Sequence, residues 1–256
     1  MNIADAARRV DDAARNAMSI EQISLTQPFS VREAYEIQRA SIERRRARGE
    51  NLIGIKLGFT SRAKMIQMGV DSLIWGLLTD AMLEEDGAPV DLKRFIHPRV
   101  EPEVCFLTRR DIDRPLTALE ASSYLEAVAP AMEIIDSRYE AFRFSLEDVI
   151  ADNCSSSGLV IGAWSNRFEG LRNAGVLMRF GGRNVQLGST AAILGNPLRS
   201  VVQASRLATQ AEVALPAGTL IMAGAATAAQ ALTPGLHVQC EVAGIGQAEF
   251  TTYLGA

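Results

Sequence analysis

The stretch HPRVEPEVCF, residues 97–106, decides how the chain is read. Its composition marks a strand, and in a strand alternate residues share a face. Glu101 and Glu103 therefore project to one side, while Val100, Pro102 and Val104 project to the other. Two neighbouring carboxylates flanked by Val, Cys and Phe are costly to keep ionised without compensation. Exposure on a sheet edge removes that cost, and so does a shared cation, for which hard divalent ions such as Mg2+ or Mn2+ are suited. The spacing alone fits both. A third acid tips the balance: AVAPAMEIIDSR (127–138) sets Glu133 among Ala, Met and Ile, where a lone carboxylate is expensive. Three acids in two apolar strand contexts suggest a metal site made by Glu101, Glu103 and Glu133.

Outward from this stretch, LVIGAW, VLMRF, VQLGS, TLIMAG, HVQCEV and AEFTTYL are short strand-like runs separated by Gly, Pro and Asn. GGRN (181–184) and GIGQ (244–247) fit hairpin turns between them. Helical spacing is present at LTALEASSYLEAVA (116–129) and NPLRSVVQASRLA (196–208). The first fifty residues also read as helical, with Ile3, Ala6, Ala7, Val10, Ala14 and Met18 on one face. A second helix follows Ser30, with Glu33 placed for a capping box, Gly49 as its stop, and a solvated arginine run near its end. LIGIKLGFT (52–60) reads as a strand and SRAKMIQMGV (61–70) as a short helix from Ser61 to Gly69. The expected fold class is α+β, with a helical segment at residues 1–50 on a β-rich core at 51–256.

With 256 residues, 48% apolar and 22% charged, the chain is neither disordered nor fibrous. A net charge of −4 leaves no basic footprint for nucleic acid. The most apolar tract, Leu220 to Ala231, is too short and interrupted to span a membrane. The N-terminus lacks a continuous apolar signal segment, and Cys105, Cys154 and Cys240 fall in no pairing or thiolate-zinc pattern, so a cytoplasmic location is expected.

Several stretches together resemble the 2-keto-4-pentenoate hydratase / 4-oxalocrotonate decarboxylase family of the fumarylacetoacetase-like superfamily. They are GIKLGFTSRAKMIQMGV (54–70), GLLTDAM (76–82), HPRVEPEV (97–104), PAMEIIDSRY (130–139), VIADNCSSS (149–157) and TLIMAGAATA (219–228). They cover nearly the whole chain in the family's order. The resemblance implies a mixed β-roll core with an N-terminal helical layer, Mg2+ or Mn2+ on the three glutamates, and an active-site lysine at Lys56. It also implies a polar loop of Asp152, Asn153 and Ser155, a homo-oligomer, and association of the pathway's hydratase and decarboxylase.

Within that family the hydratase branch carries an acid two positions before a glycine, where this chain has Ile74. Isoleucine moves no proton, but it makes a dry wall suited to losing a carboxylate. The aromatic and basic YEAFRF segment (139–144) also looks closer to the decarboxylase branch. The expectation is therefore decarboxylation of a small 2-oxo dicarboxylic acid, with the hydratase as the alternative. In this reading Lys56 and Ser155 are catalytic, and Asn153, Asp152, Ile74 and Arg62 contact substrate. An acylpyruvate hydrolase would need a His–Glu pair, for which no histidine is suitably placed, and a silent scaffold has no use for three clustered acids. Without the resemblance, Lys56 reads as a solvated strand residue, Ser155 to Ser157 as a turn, and His97 and His237 as structural. Cys154 reads as a small buried residue in either case.

Overall fold

The computed structural model describes residues 1–61, 65–66 and 72–255. The chain opens with helices α1 (Ile3–Asn16), α2 (Ile23–Thr26) and α3 (Val31–Ala47). Ser30 and Glu33 form the expected capping box on α3, and Gly49 follows with φ 102°. The arginine run corrects its sequence reading. Arg44 and Arg48 both bond Asp11, which α1 buries at 2% exposure, and Arg45 bonds Glu50. A buried carboxylate recruits the nearest cations, so the run ties two helices together instead of facing water. Met18, placed on the apolar face from sequence, lies beyond the end of α1 and is exposed.

Next come β1 (Leu52–Gly58), β2 (Ile74–Thr79), β3 (Leu83–Glu84), β4 (Pro89–Asp91), β5 (Arg99–Thr108) and β6 (Leu125–Ile135). A short helix α4 (Leu146–Ala151) precedes β7 (Ser156–Ile161), β8 (Gly175–Phe180) and β9 (Arg183–Ser189). Helix α5 (Leu198–Gln210) leads to β10 (Leu220–Met222), β11 (Gln230–Ala231), β12 (His237–Val242) and β13 (Gly246–Tyr253). Both expected hairpins are present, β8 with β9 and β12 with β13. The helical expectation at 116–129 is overturned: only a single 3-10 turn forms at Ala121–Tyr124, and Leu125 opens strand β6. Both faces of β6 are covered, so its apolar residues do not alternate with polar ones, and its run of alanines mimics a helix face. The short helix expected from Ser61 to Gly69 is helical at Met65 and Ile66, and the rest of it lies outside the described residues.

The strands form two sheets, one ordered β2-β1-β10-β5-β6-β7-β3 with β11 on β5, the other β4-β13-β12-β8-β9. Even-numbered residues of β5 and β6, such as Val104, Phe106, Val128 and Met132, pack against Val176, Val238 and Phe250 of the second sheet. Odd-numbered residues face the opposite side. There the first sheet curls on itself, and its ends meet through Asn153. The Asn153 amide donates to Leu77 O and accepts from Leu77 N, each at 2.8 Å, as a neighbouring strand would. Gly76 is required at this seam, because a Cβ there would lie 2.7 Å from Asn153 O. The interior of the roll holds Leu78, Met82, Cys105, Leu159, Leu220 and Met222. α1 and α3 close one end with Ala6, Val10, Ala34 and Ile37 packed against Ile74, Tyr139 and Val149.

Candidate active site

The register of β5 on β6 sets Glu101 directly opposite Glu133, with Glu103 two residues along on the same face. Lys56 reaches that face from two strands away, since it pairs with Met222 of β10 and Met222 pairs with Cys105 of β5. Gly76 is its neighbour on β2, which leaves the lysine stem room. The four side chains thus occupy the end of the roll interior. Glu103 and Glu133 are 1% and 0% exposed, Lys56 is 4% exposed, and Glu101 is half-buried.

Each buried carboxylate has one oxygen held by the protein. Ser156 Oγ donates to Glu133 Oε1 at 2.8 Å, and Gly224 N donates to Glu103 Oε2 at 2.8 Å. Gly224 adopts φ 102°, and a Cβ there would strike Thr60 Oγ1 at 2.2 Å, so only glycine presents this donor. Glu103 Oε1 and Glu133 Oε2 are left without a hydrogen bond among the described residues. Lys56 Nζ stands 3.0 Å from Glu133 Oε2 as an ion pair, but its hydrogen bond goes to Cys154 O, also at 3.0 Å. One ligand oxygen from each of Glu101, Glu103 and Glu133 lies within 4.8 Å of the others. Three hard oxygens, two of them buried and unsatisfied, fit a divalent cation such as Mg2+ or Mn2+.

The electrostatics agree with that fit. Burial, then repulsion from Glu133, pushes the Glu103 carboxyl well above the usual carboxylate range, against the pull of Lys56. Burial opposes charge on Lys56, yet Glu133 foremost among its neighbours holds its pKa above the ordinary lysine value. Lys56 donates to Cys154 O and stands as the cationic partner of Glu133.

The charged cluster opens into a cavity of about 710 Å³ lined by Lys56, Glu101, Ser155, Ile74, Phe144 and Ile135, among others. Ser155 Oγ is buried there without a hydrogen-bond partner among the described residues. Three consecutive residues before β7, Asn153, Cys154 and Ser155, have φ of 48°, 54° and 58°, a costly left-handed run for residues with side chains. Ile74 packs against Gly58, where a Cβ would come within 2.7 Å of it, and is an apolar part of the cavity lining.

Asp152 and Asn153, expected at the substrate, lie just behind the cavity wall. Neither side chain lines the cavity: Asn153 is engaged by Leu77, and Asp152 forms a fully buried ion pair with Arg138. Arg138 also donates to Asp152 O at 2.5 Å. Burial pushes the Asp152 carboxyl up to about 6 despite that guanidinium. Both residues hold the strained loop that presents Ser155. Arg62 lies outside the described residues. Sequence reading missed Ser156 and the Gly224 amide, although both sit in the quoted stretches VIADNCSSS and TLIMAGAATA. A backbone donor carries no side-chain signal. Arg99, Phe142 and Arg143, also at the cavity, were passed over as well.

The fumarylacetoacetate (FAA) hydrolase C-terminal family matches residues 60–252, and the chain belongs to that family. Within it, the chain is 54% identical over 252 residues to a 4-oxalocrotonate decarboxylase of a Pseudomonas species, covering 98% of both chains. A 2-keto-4-pentenoate hydratase of Paraburkholderia xenovorans is 34% identical, covering 94% of this chain and 91% of the relative. Among solved structures, a 4-oxalocrotonate decarboxylase from Pseudomonas putida G7, complexed with magnesium and adipate, superposes with a TM-score of 0.94. It is 35% identical, over 98% of this chain and 97% of that one.

Proposed function

We propose that this chain is a metal-dependent carboxy-lyase that converts 2-oxo-3-hexenedioate (4-oxalocrotonate) to 2-hydroxypenta-2,4-dienoate and carbon dioxide, as part of aromatic catabolism. The carrying observation is the three-carboxylate cluster beside a charged lysine, opening into a cavity walled by Ile74 and other apolar side chains. The 54% identity to a decarboxylase, against 34% to a hydratase, supports the same reading.

In this reading Glu101, Glu103 and Glu133 hold Mg2+ or Mn2+. The ion supplies, when bound, a Lewis acid for negative charge developing on the substrate's 2-keto oxygen. Lys56, whose hydrogen bond in this structure goes to Cys154 O, donates a remaining N–H to the developing enolate or to the adjacent carboxylate. Ser155 Oγ orients the substrate. Ile74 and its apolar neighbours line the conjugated chain, into which the electron pair of the breaking carbon–carboxylate bond passes. We further read residues 1–50 as a helical layer on a catalytic core at 51–256, and the protein as a cytoplasmic homo-oligomer able to associate with the pathway hydratase. Support for the location is that the three cysteines are free and buried, and no helix among the described residues is long and apolar enough to cross a membrane.

The test is to mix protein and 2-oxo-3-hexenedioate with Mg2+ or with EDTA, following carbon dioxide release and substrate absorbance. Release in Mg2+ that EDTA abolishes is the expected result. Hydration of 2-hydroxypenta-2,4-dienoate without carbon dioxide release from the dicarboxylate would assign the chain to the hydratases.

A further inference from the structure

A dicarboxylic substrate held at one end by the three glutamates needs a receptor for its other carboxylate. We propose that Arg99, laid across the ring of Phe142, recognises that distal carboxylate and so selects dicarboxylic over monocarboxylic substrates. The inference rests on the decarboxylase reading above.

The position follows from the strand. Arg99, Glu101 and Glu103 alternate along β5 and face the same side, and Arg99 pairs across the ladder with Ile135, another cavity residue. Two residues along a strand advance about 6.7 Å. A six-carbon chain at ~1.5 Å per bond spans about 6 Å between its end carbons. A substrate lying along β5 from Glu101 thus brings its far end to Arg99. Among the described residues, the cations lining the cavity are Lys56, Arg99 and Arg143, and Lys56 is committed to Glu133. Arg99 has no ion-pair partner among the described residues.

The surroundings of Arg99 are built. Its guanidinium carbon lies 4.3 Å from the centre of the Phe142 ring, and the centre of the His97 ring lies 5.0 Å from that of Phe142. Phe142 is held there at a conformational cost, since Ala141 and Phe142 both have positive φ, 54° and 58°. This strained turn is the centre of the YEAFRF segment. Phe144 packs 6.0 Å from Phe142 and continues the apolar wall.

The chemistry suits a carboxylate that must leave. A buried two-pronged clamp would stabilise the ground state and slow the bond cleavage. Arg99 is instead exposed, with one guanidinium face against a ring, so it draws the carboxylate in without burying an ion pair. Removing it should raise KM for the dicarboxylate and leave kcat nearly unchanged.

Titration calorimetry on the Mg2+-loaded protein tests this with three probes: adipate, hexanoate and oxalate. Oxalate reports the metal end alone. Arg99→Met should weaken adipate binding about tenfold, the low end for a hydrogen bond to a charged group. It should also erase the preference for adipate over hexanoate and leave oxalate unchanged. Arg99→Lys should recover part of the adipate affinity, and Phe142→Leu should lose less than Arg99→Met. Unchanged adipate binding in Arg99→Met, or equal weakening of adipate and oxalate, overturns the assignment to Arg99 and leaves the decarboxylase reading standing. Failure of oxalate to bind the wild type would instead break the three-carboxylate reading, and this inference with it.

Discussion

The interior of the roll has two ends built on one sheet, and they obey opposite rules. One is lined by Leu78, Met82, Leu159 and Leu220 and is stabilised by removing apolar surface from water. The other carries Lys56 of β1, Glu103 of β5 and Glu133 of β6 at 4% exposure or less, the two glutamates lying two residues along from Cys105 and Ala131 of the apolar cluster. Nothing in the backbone distinguishes them, since the ladder continues through both. The difference teaches that the charged end is stable only as a compensated set. Each charge there is met by Ser156, Gly224 or Lys56, with room left for a cation.

The comparison breaks most severely at the charged end. Glu133→Gln should lower metal-dependent turnover by ~10³ or more and weaken Mg2+ binding, measured by steady-state kinetics and calorimetry, because a cation worth several kcal/mol of charge stabilisation loses a ligand. Lys56→Met should follow, with a loss of ~10² to 10³ in kcat, the usual result of removing one donor to a developing oxyanion. Its Mg2+ affinity should remain, which separates donation to substrate from metal binding. At the apolar end, Leu78→Ala should cost about 2–5 kcal/mol of stability, read from denaturant or thermal unfolding, with kcat changed less than about threefold. Equal damage to stability and catalysis from Leu78→Ala and Lys56→Met would mean that the two ends do not act separately.

A smaller effect sharpens the role of the loop between them. The folded pKa of Asp152, about 6, lies above its ordinary 3.8. Between those values the folded chain keeps a proton that the unfolded chain has lost. The contribution of Asp152 to stability therefore falls as pH rises from about 4 to about 6 and is constant above that. Asp152→Asn should lower stability overall but flatten this slope, as melting temperature measured against pH will report.

Much of the charged end was legible in the sequence, because strand alternation puts Glu101 and Glu103 on one face and Glu133 stands out as an acid among apolar residues. Lys56 was legible only through resemblance, since a strand lysine between Ile55 and Leu57 fits a solvated face equally well. The apolar end was harder to see. From Ala127 to Ile134 strand β6 is buried on both faces, so the alternation that marks a strand vanishes, and its first residues, to Ala129, read as the end of a helix. Asp152 and Asn153 were legible as residues of the site, but not the direction their side chains take. Whether a polar side chain turns to the cavity or to a neighbouring strand depends on the three left-handed residues that follow Asp152, a conformation that sequence pattern does not encode.

The seam that Asn153 closes has one more consequence. β2 is the outermost strand of its sheet, and an uncovered edge offers free amides and carbonyls on which another chain can add by self-templated pairing. By occupying Leu77 N and O with a side-chain amide, Asn153 acts as a guard against aggregation. Asn153→Ala should therefore scatter light on mild heating at temperatures where the native chain stays clear.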